Sequence, residues 1–193
     1  AIKNAKVSIA EIDCIILATT TPDCTFPSTA TIVQQKLGAK NAFAFDVQAV
    51  CAGFVYALSV ANGLMCFGQG RNALVIGAET FTKLLDWSDR STCVLFGDGA
   101  GAVVLQAEDS KKGFGIIANK LYSDGRYKDI LYVDGGVSTT GTVGRVKMQG
   151  REVFKHAVEK LATAMDEVLS LANLTPNDID WLVPHQANIR IIN

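Results

Sequence analysis

Ala5-Lys6-Val7-Ser8-Ile9-Ala10-Glu11-Ile12-Asp13-Cys14-Ile15-Ile16 returns 167 residues later as Ala172-Asn173-Leu174-Thr175-Pro176-Asn177-Asp178-Ile179-Asp180-Trp181-Leu182-Val183. Ala, Ile and Asp recur identically, and Val/Leu, Ser/Thr, Glu/Asp, Ile/Leu and Ile/Val recur in kind. Both copies read as a helix end, a tight turn and a buried strand. Self-similarity of this kind is the mark of a duplicated unit; a match of twelve residues also arises by chance. On the first reading a second half begins near Gly150 and is cut off at Asn193.

Working outward from the first copy, Ile12 to Thr19 is a continuous apolar run, as in a parallel strand covered on both faces. Pro27 and Ser28 open a helix that closes at Leu37-Gly38. Ala42 to Val47 predicts a second strand, Ala52 to about Phe67 a helix buried on all sides, and Ala73 to Gly77 a third strand. Cys93 to Phe96 and Ala102 to Gln106 read as neighbouring strands. Between them Gly97-Asp98-Gly99-Ala100-Gly101 reads as a tight turn, since its spacing fits neither dinucleotide loop nor P-loop. From Gly150 to Ala172 apolar residues recur at Phe154, Ala157, Val158, Leu161, Met165, Val168 and Ala172, so one helix face is expected to pack inward. Asp180 to Val183 is a further strand. This order is that of a layered α/β protein with a mostly parallel sheet.

The chain has 193 residues, 49% of them apolar, which is enough for a sizeable core. A net charge of −1 speaks against a nucleic-acid binder, although a local basic patch can still read an acidic partner protein. The cysteines are Cys14, Cys24, Cys51, Cys66 and Cys93, an odd number without CxxC spacing. That predicts free thiols in a reducing cytoplasm and no metal site. Val47 to Gly70 carries no charge and is long enough to span a bilayer. It also holds Gln48, Asn62, Gln69 and four glycines, so a helix inside a layered protein is the expectation and a membrane span is not. Ala1 opens onto an ordinary amphipathic pattern, without the look of a signal peptide.

Two residues stand where chemistry is done. Cys51 lies between a strand (AFAFDV) and a helix (AGFVYALSV), where helix N–H groups favour a thiolate. The same strand–turn–helix geometry serves serine in hydrolases; the plain alternative is a small buried cysteine. Cys14, Cys66 and Cys93 read as core, and Cys24 as a loop thiol without an activator. His185 follows the second buried strand directly, at the kind of strand end where catalytic groups gather in open α/β sheets. There it can activate a thiol or stabilise an oxyanion, or simply be a loop histidine satisfied by backbone. His156, inside the long helix, reads as structural. Lys155 and Arg190 are either part of a basic patch or solvated charges.

Three segments together carry a resemblance. Asp46-Val47-Gln48-Ala49-Val50-Cys51-Ala52-Gly53-Phe54 is similar to the nucleophile segment of the thiolase-like condensing enzymes. Phe96-Gly97-Asp98-Gly99-Ala100-Gly101-Ala102 is similar to their glycine-rich signature. Trp181-Leu182-Val183-Pro184-His185-Gln186-Ala187-Asn188 resembles the histidine segment of the type III 3-oxoacyl-[acyl-carrier-protein] synthases.

The resemblance implies a thiolase-like layered αβαβα fold of two duplicated halves. Residues 1–149 would be the first half, lacking its first strand and helix, and 150–193 the truncated start of the second. It implies a Cys–His–Asn site in which Cys51 takes an acyl group, usually acetyl, from CoA. His185 and an Asn beyond the chain end then help malonyl-carrier protein lose carbon dioxide, giving a 3-oxoacyl-carrier protein. By the same resemblance Arg90 stacks on the CoA adenine and Asn188 lines the pantetheine channel. Phe154 and Met148 fall at the channel wall, and Phe26 reaches the partner subunit's acyl pocket. Gln186, Ala187, Asn188, Ile189 and Arg190 form the carrier-protein docking segment, with Lys155 beside it. The implied enzyme is a cytoplasmic homodimer with acyl-CoA and acyl-carrier protein as partners and no cofactor beyond the CoA thioester substrate. Other condensing enzymes of this fold, such as a polyketide starter synthase or a hydroxymethylglutaryl-CoA synthase, have different histidine segments. A non-catalytic assembly subunit would commonly have lost Cys51.

Overall fold

The computed structural model describes residues 1–108 and 114–188, in two compact units. The first comprises Ala1–Thr80 and Asp98–Ile116, the second Phe81–Gly97 and Ile117–Asn193. Ile189 and Arg190 lie outside the described residues.

In the first unit, Cys14–Ala18 (β1) is buried at every position. It pairs in parallel with Phe43–Val47 (β2) on one side and Asn72–Thr80 (β3) on the other. Asp98–Gln106 (β4) pairs antiparallel to β3, giving the order β2-β1-β3-β4. Because side chains alternate across a strand, β1 serves two cores. Ile15 and Leu17 join Leu74 and the short helix Ile2–Ala5 (α1) and helix Thr29–Leu37 (α2), through Ile2, Ala30, Val33 and Leu37. Cys14, Ile16 and Ala18 join Val75 and helix Gly53–Cys66 (α3), through Phe54, Ala57, Leu58 and Ala61. The result is a helix–sheet–helix sandwich.

Helix α2 begins where its free N–H groups find oxygens. Ser28 Oγ accepts from Thr31 N at 3.2 Å. Asp46, near the end of β2, accepts from Thr29 N and Ala30 N, each at 2.8 Å. Gly38 ends the helix in the left-handed conformation, φ 70°. Helix α3 turns a stripe of small residues, Gly53, Ala57 and Ala61, onto the sheet. It is not buried on all sides as its composition suggests: Val55 is exposed, and Cys66, expected in the core, is exposed in the last turn.

The glycine-rich segment is not a turn between strands. Asp98 to Gly101 is the first part of β4 itself, with Gly99 opposite Glu79 and Gly101 opposite Gly77. Glycine is a poor strand former, which hid a strand that its neighbour imposes. Cys93–Phe96 is not a strand either. Thr92 N and Cys93 N both donate to Asp89 O, and Leu95 N donates to Thr92 O, winding the segment into turns.

In the second unit, Leu131–Val133 (β5) and Val146–Met148 (β6) form an antiparallel pair. They cover Leu84, Leu85, Phe81 and Phe96. Helix Gly150–Ala172 (α4) has the bounds read from the sequence. Its apolar stripe is covered only in part: Leu169 is buried, while Val158, Leu161 and Met165 are exposed. Asp180 to Val183 forms no strand, and Trp181, Leu182 and Val183 are 86%, 65% and 84% exposed. Extended backbone becomes a strand only when a neighbour takes its N–H and C=O groups, and among the described residues none does. No helix among the described residues is long and apolar enough to cross a membrane.

The repeated dodecapeptide folds alike in both places up to the strand. Lys6 (φ 57°) and Asn173 (φ 55°) each close a helix in the left-handed conformation. A capping box follows in each copy, Ser8 N to Glu11 and Thr175 N to Asp178, both at 2.8 Å. Each box opens a single 3-10 turn, Ile9–Glu11 and Pro176–Asp178.

The Asp46 carboxylate thus anchors α2 to the sheet beside the Cys51 turn. Replacing Asp46 by Ala in the full-length protein should cost about 1–2 kcal/mol, as other lost helix caps do. Urea unfolding checks this, and an unchanged midpoint would count against the anchor.

Candidate active site

Cys51 sits in the single 3-10 turn Val50–Ala52 that joins the end of β2 to α3. The chain reaches it through a forbidding conformation. Val50 has φ 47°, in the left-handed region that a β-branched residue avoids. Such a residue costs of order 1–3 kcal/mol and persists where surrounding structure over-determines it. Close packing follows just after the turn. A Cβ on Gly53 would lie 3.2 Å from the Ala18 Cβ, so a side chain there would require the start of α3 or the end of β1 to give by a few tenths of an ångström. In this turn the residue Cys51 is exposed.

The thiol is not primed by the helix start alone. Although the residue is exposed by area, the protein packed around its sulfur penalises the charged form and pushes its pKa up. The Glu79 carboxylate pushes in the same direction, against a lowering contribution from the Cys51 backbone N–H. The expectation that the helix N-terminus favours the thiolate is therefore outweighed within this unit. Cys14, buried beside Asp13, is pushed further, to about 12, and stays a core thiol.

Glu79, near the end of β3, is the feature that the sequence reading passed over. Thr20 N donates to its Oε1 at 2.7 Å and the Thr21 hydroxyl to its Oε2 at 2.6 Å. Gln48 Nε2 donates to Thr20 Oγ1 at 2.9 Å. The signal was available: Glu79 is a lone charge closing an apolar strand, opposite three consecutive threonines that close another. Phe26, also in the first unit, is 83% exposed in the loop between β1 and α2 and precedes Pro27 through a cis peptide bond.

The other candidates belong to the second unit. Arg90 is exposed on a loop shaped by two successive aspartates. Asp86 accepts from Ser88 N and Oγ, and Asp89 from Ser91 N, Ser91 Oγ and Thr92 Oγ1. These bonds hold both carboxyls below their usual range. Met148 ends β6 and Phe154 lies in the second turn of α4, both half-buried, so the β6–α4 junction brings these two close in the chain. Lys155 is exposed on α4. His156 packs against the Tyr127 ring at 4.0 Å, a structural contact. His185, Gln186 and Ala187 are exposed and Asn188 is half-buried.

Comparison with known proteins places the chain in a family. The family profile described as 3-oxoacyl-[acyl-carrier-protein (ACP)] synthase III matches residues 45–125, and that of its C-terminal region matches residues 169–193. The chain is 60% identical over 195 aligned residues to the beta-ketoacyl-[acyl-carrier-protein] synthase III of Rhodobacter capsulatus. It is 61% identical to that of Ruegeria pomeroyi. The alignments cover all of this chain and 60% of each relative. The crystal structure of 3-oxoacyl-[acyl-carrier-protein] synthase III from Aquifex aeolicus superposes with a TM-score of 0.91 at 46% identity, covering 100% of this chain and 59% of that one. The fold is that of the thiolase-like condensing enzymes. Within them, the chain belongs to the 3-oxoacyl-[acyl-carrier-protein] synthase III family.

The Val50 conformation gives a test of the turn. Asn tolerates the left-handed region and should be accepted at position 50 with little change in melting temperature. Pro, fixed near a φ of about −65°, should cost about 3 kcal/mol or more and disrupt the thiol's placement. A Val50→Pro protein melting like the wild type would show that the turn is not fixed as described.

Proposed function

We propose that Cys51 is the acyl acceptor of an acyltransferase that starts fatty acid chains. The reaction condenses an acyl-CoA, acetyl-CoA by preference, with malonyl-carrier protein. The observation that supports this most is the Cys51 turn: a thiol carried by a strained residue between strand and helix, within the family's nucleophile motif.

The chemistry divides into two half-reactions. The Cys51 sulfur attacks the thioester carbonyl of acyl-CoA, a thioester forms on the protein, and CoA leaves as its thiol. Because the packed surroundings and Glu79 push the Cys51 thiol up, the proton needs a base, and His185 is proposed to take it. In the second half-reaction malonyl-carrier protein loses carbon dioxide. Its enolate is stabilised by neutral N–H donors, His185 among them, and attacks the acyl-Cys51 carbonyl. The sulfur leaves and is reprotonated, and the 3-oxoacyl-carrier protein is released.

Arg90, Asn188, Phe154 and Met148 are proposed to bind the CoA substrate, and Phe26 to serve the acyl pocket of a partner subunit in a homodimer. Lys155 and the segment Gln186, Ala187, Asn188, Ile189, Arg190 are proposed to dock the acidic carrier protein. A cytoplasmic location is proposed, and the free thiols support it. The family and the retained Cys51 favour this reading over a polyketide starter synthase or a non-catalytic subunit.

Labelled acetyl-CoA should leave its acyl group on Cys51 of the full-length protein, and Cys51→Ser should retain none. His185→Ala should lose about 10²–10³ in condensation, the usual effect of removing one such donor. Label found on Cys24, with activity following it, would overturn the assignment. For docking, Lys155→Glu and Arg190→Glu should slow the reaction with malonyl-carrier protein, most at low salt, and leave acyl loading from acetyl-CoA nearly unchanged. Equal loss in both half-reactions would remove the docking role.

A further inference from the structure

The ends of three parallel strands are tied together by one carboxylate that none of the roles above uses. Glu79 is half-buried, opposite Gly99 of β4 and level with Thr20 beyond the end of β1. Its Oε1 accepts from Thr20 N at 2.7 Å; its Oε2 accepts from Thr21 Oγ1 at 2.6 Å and Thr19 Oγ1 at 3.4 Å. Thr21 Oγ1 in turn accepts from Thr80 N at 2.9 Å, closing a ring back onto β3. On the far side, Thr20 Oγ1 accepts from Gln48 Nε2, and Thr19 N donates to Val47 O at 3.1 Å. The chain of bonds therefore runs from β3 through the threonines to the segment leading into Cys51.

We propose that Glu79 is a positioning residue for Cys51: its carboxylate fixes the Thr19–Thr21 segment, and through Thr20 and Gln48 the turn that presents the thiol. The proposal rests on Cys51 being the acyl acceptor. A carboxylate suits the task because it accepts several hydrogen bonds at once from a fixed place. It has a cost, since a negative charge disfavours a thiolate nearby, and Glu79 does push the Cys51 thiol up. The other groups around the turn do not supply that charge. Helix α3 carries no charged side chain, only Tyr56 and Cys66 as titratable groups, and β1 offers Cys14. Asp46 of β2 is engaged by Thr29 N and Ala30 N, and Asp23 lies in the exposed loop before α2. Order and charge at Glu79 thus act on Cys51 in opposite senses, which makes them separable.

The test uses the full-length protein and two readouts: the pH profile of iodoacetamide alkylation at Cys51, by mass spectrometry, and the rate of acyl loading from acetyl-CoA. Glu79→Gln keeps an oxygen for Thr20 N and removes the charge. Less negative charge makes the thiolate easier to form, so the alkylation midpoint moves to lower pH. At a fixed pH below it, alkylation rises with the thiolate fraction. Glu79→Ala removes charge and bonds together, so the midpoint falls likewise while acyl loading slows about tenfold, the scale of a misplaced reacting group. Thr21→Val cuts one link and leaves the charge in place: loading slows and the alkylation midpoint stays. It stands in for Glu79→Ala should that protein not fold, as judged by its melting curve. An unchanged alkylation midpoint in Glu79→Gln, or wild-type loading in the bond-breaking variants, overturns the proposal. Failure of the wild type to hold label at Cys51 instead overturns the acyl-acceptor reading, and the alkylation comparison still reports on Glu79.

Discussion

Everything in the first unit hangs on the burial of β1 between two helical layers. Ile15 and Leu17 face one core and Cys14, Ile16 and Ala18 the other, and none of the five is more than 6% exposed. A strand buried on both faces must take its hydrogen bonds from strands on either side, so β2 and β3 follow in parallel. Parallel neighbours end at the same edge of the sheet. That edge is where the Cys51 turn, the three threonines and Glu79 meet. The chemistry is placed by the same burial that makes the core.

The strands and helices that are uniform in character were legible from sequence. The apolar run at Cys14–Ala18, the capped α2 between Ser28 and Gly38, and α4 from Gly150 to Ala172 all declared themselves by period or punctuation. What escaped were segments whose state is set by a neighbour. Asp98–Gly101 is a strand because β3 pairs with it, despite its glycines. Asp180–Val183 has strand-like residues and no partner among the described residues. The α4 stripe was read as inward-facing, and periodicity alone does not say how much of a face is covered.

The site divided in the same way. The place of Cys51 was legible because a junction between strand and helix is a local pattern. The Val50 backbone and the Glu79 ring were not, since one is a torsion angle that a β-branched residue does not announce and the other joins residues about sixty positions apart. The direction of the Cys51 shift was also hidden: the helix start is a sequence feature, while the crowding and the Glu79 charge that outweigh it exist only in the folded unit.

The recurring turn has a consequence for how two equivalent places diverge. Aligned on the repeat, Ala18 and His185 are the same position, two steps past the shared turn-and-strand pattern. In the first copy that place is a buried alanine in the core beneath α3, which a Cβ on Gly53 would approach to 3.2 Å. In the second copy the same place carries an imidazole, exposed to water. The same place in the repeat holds a buried methyl group in one copy and an exposed imidazole in the other. One local pattern of helix end and capped turn thus leads into two different surroundings, a closed core in one place and open water in the other.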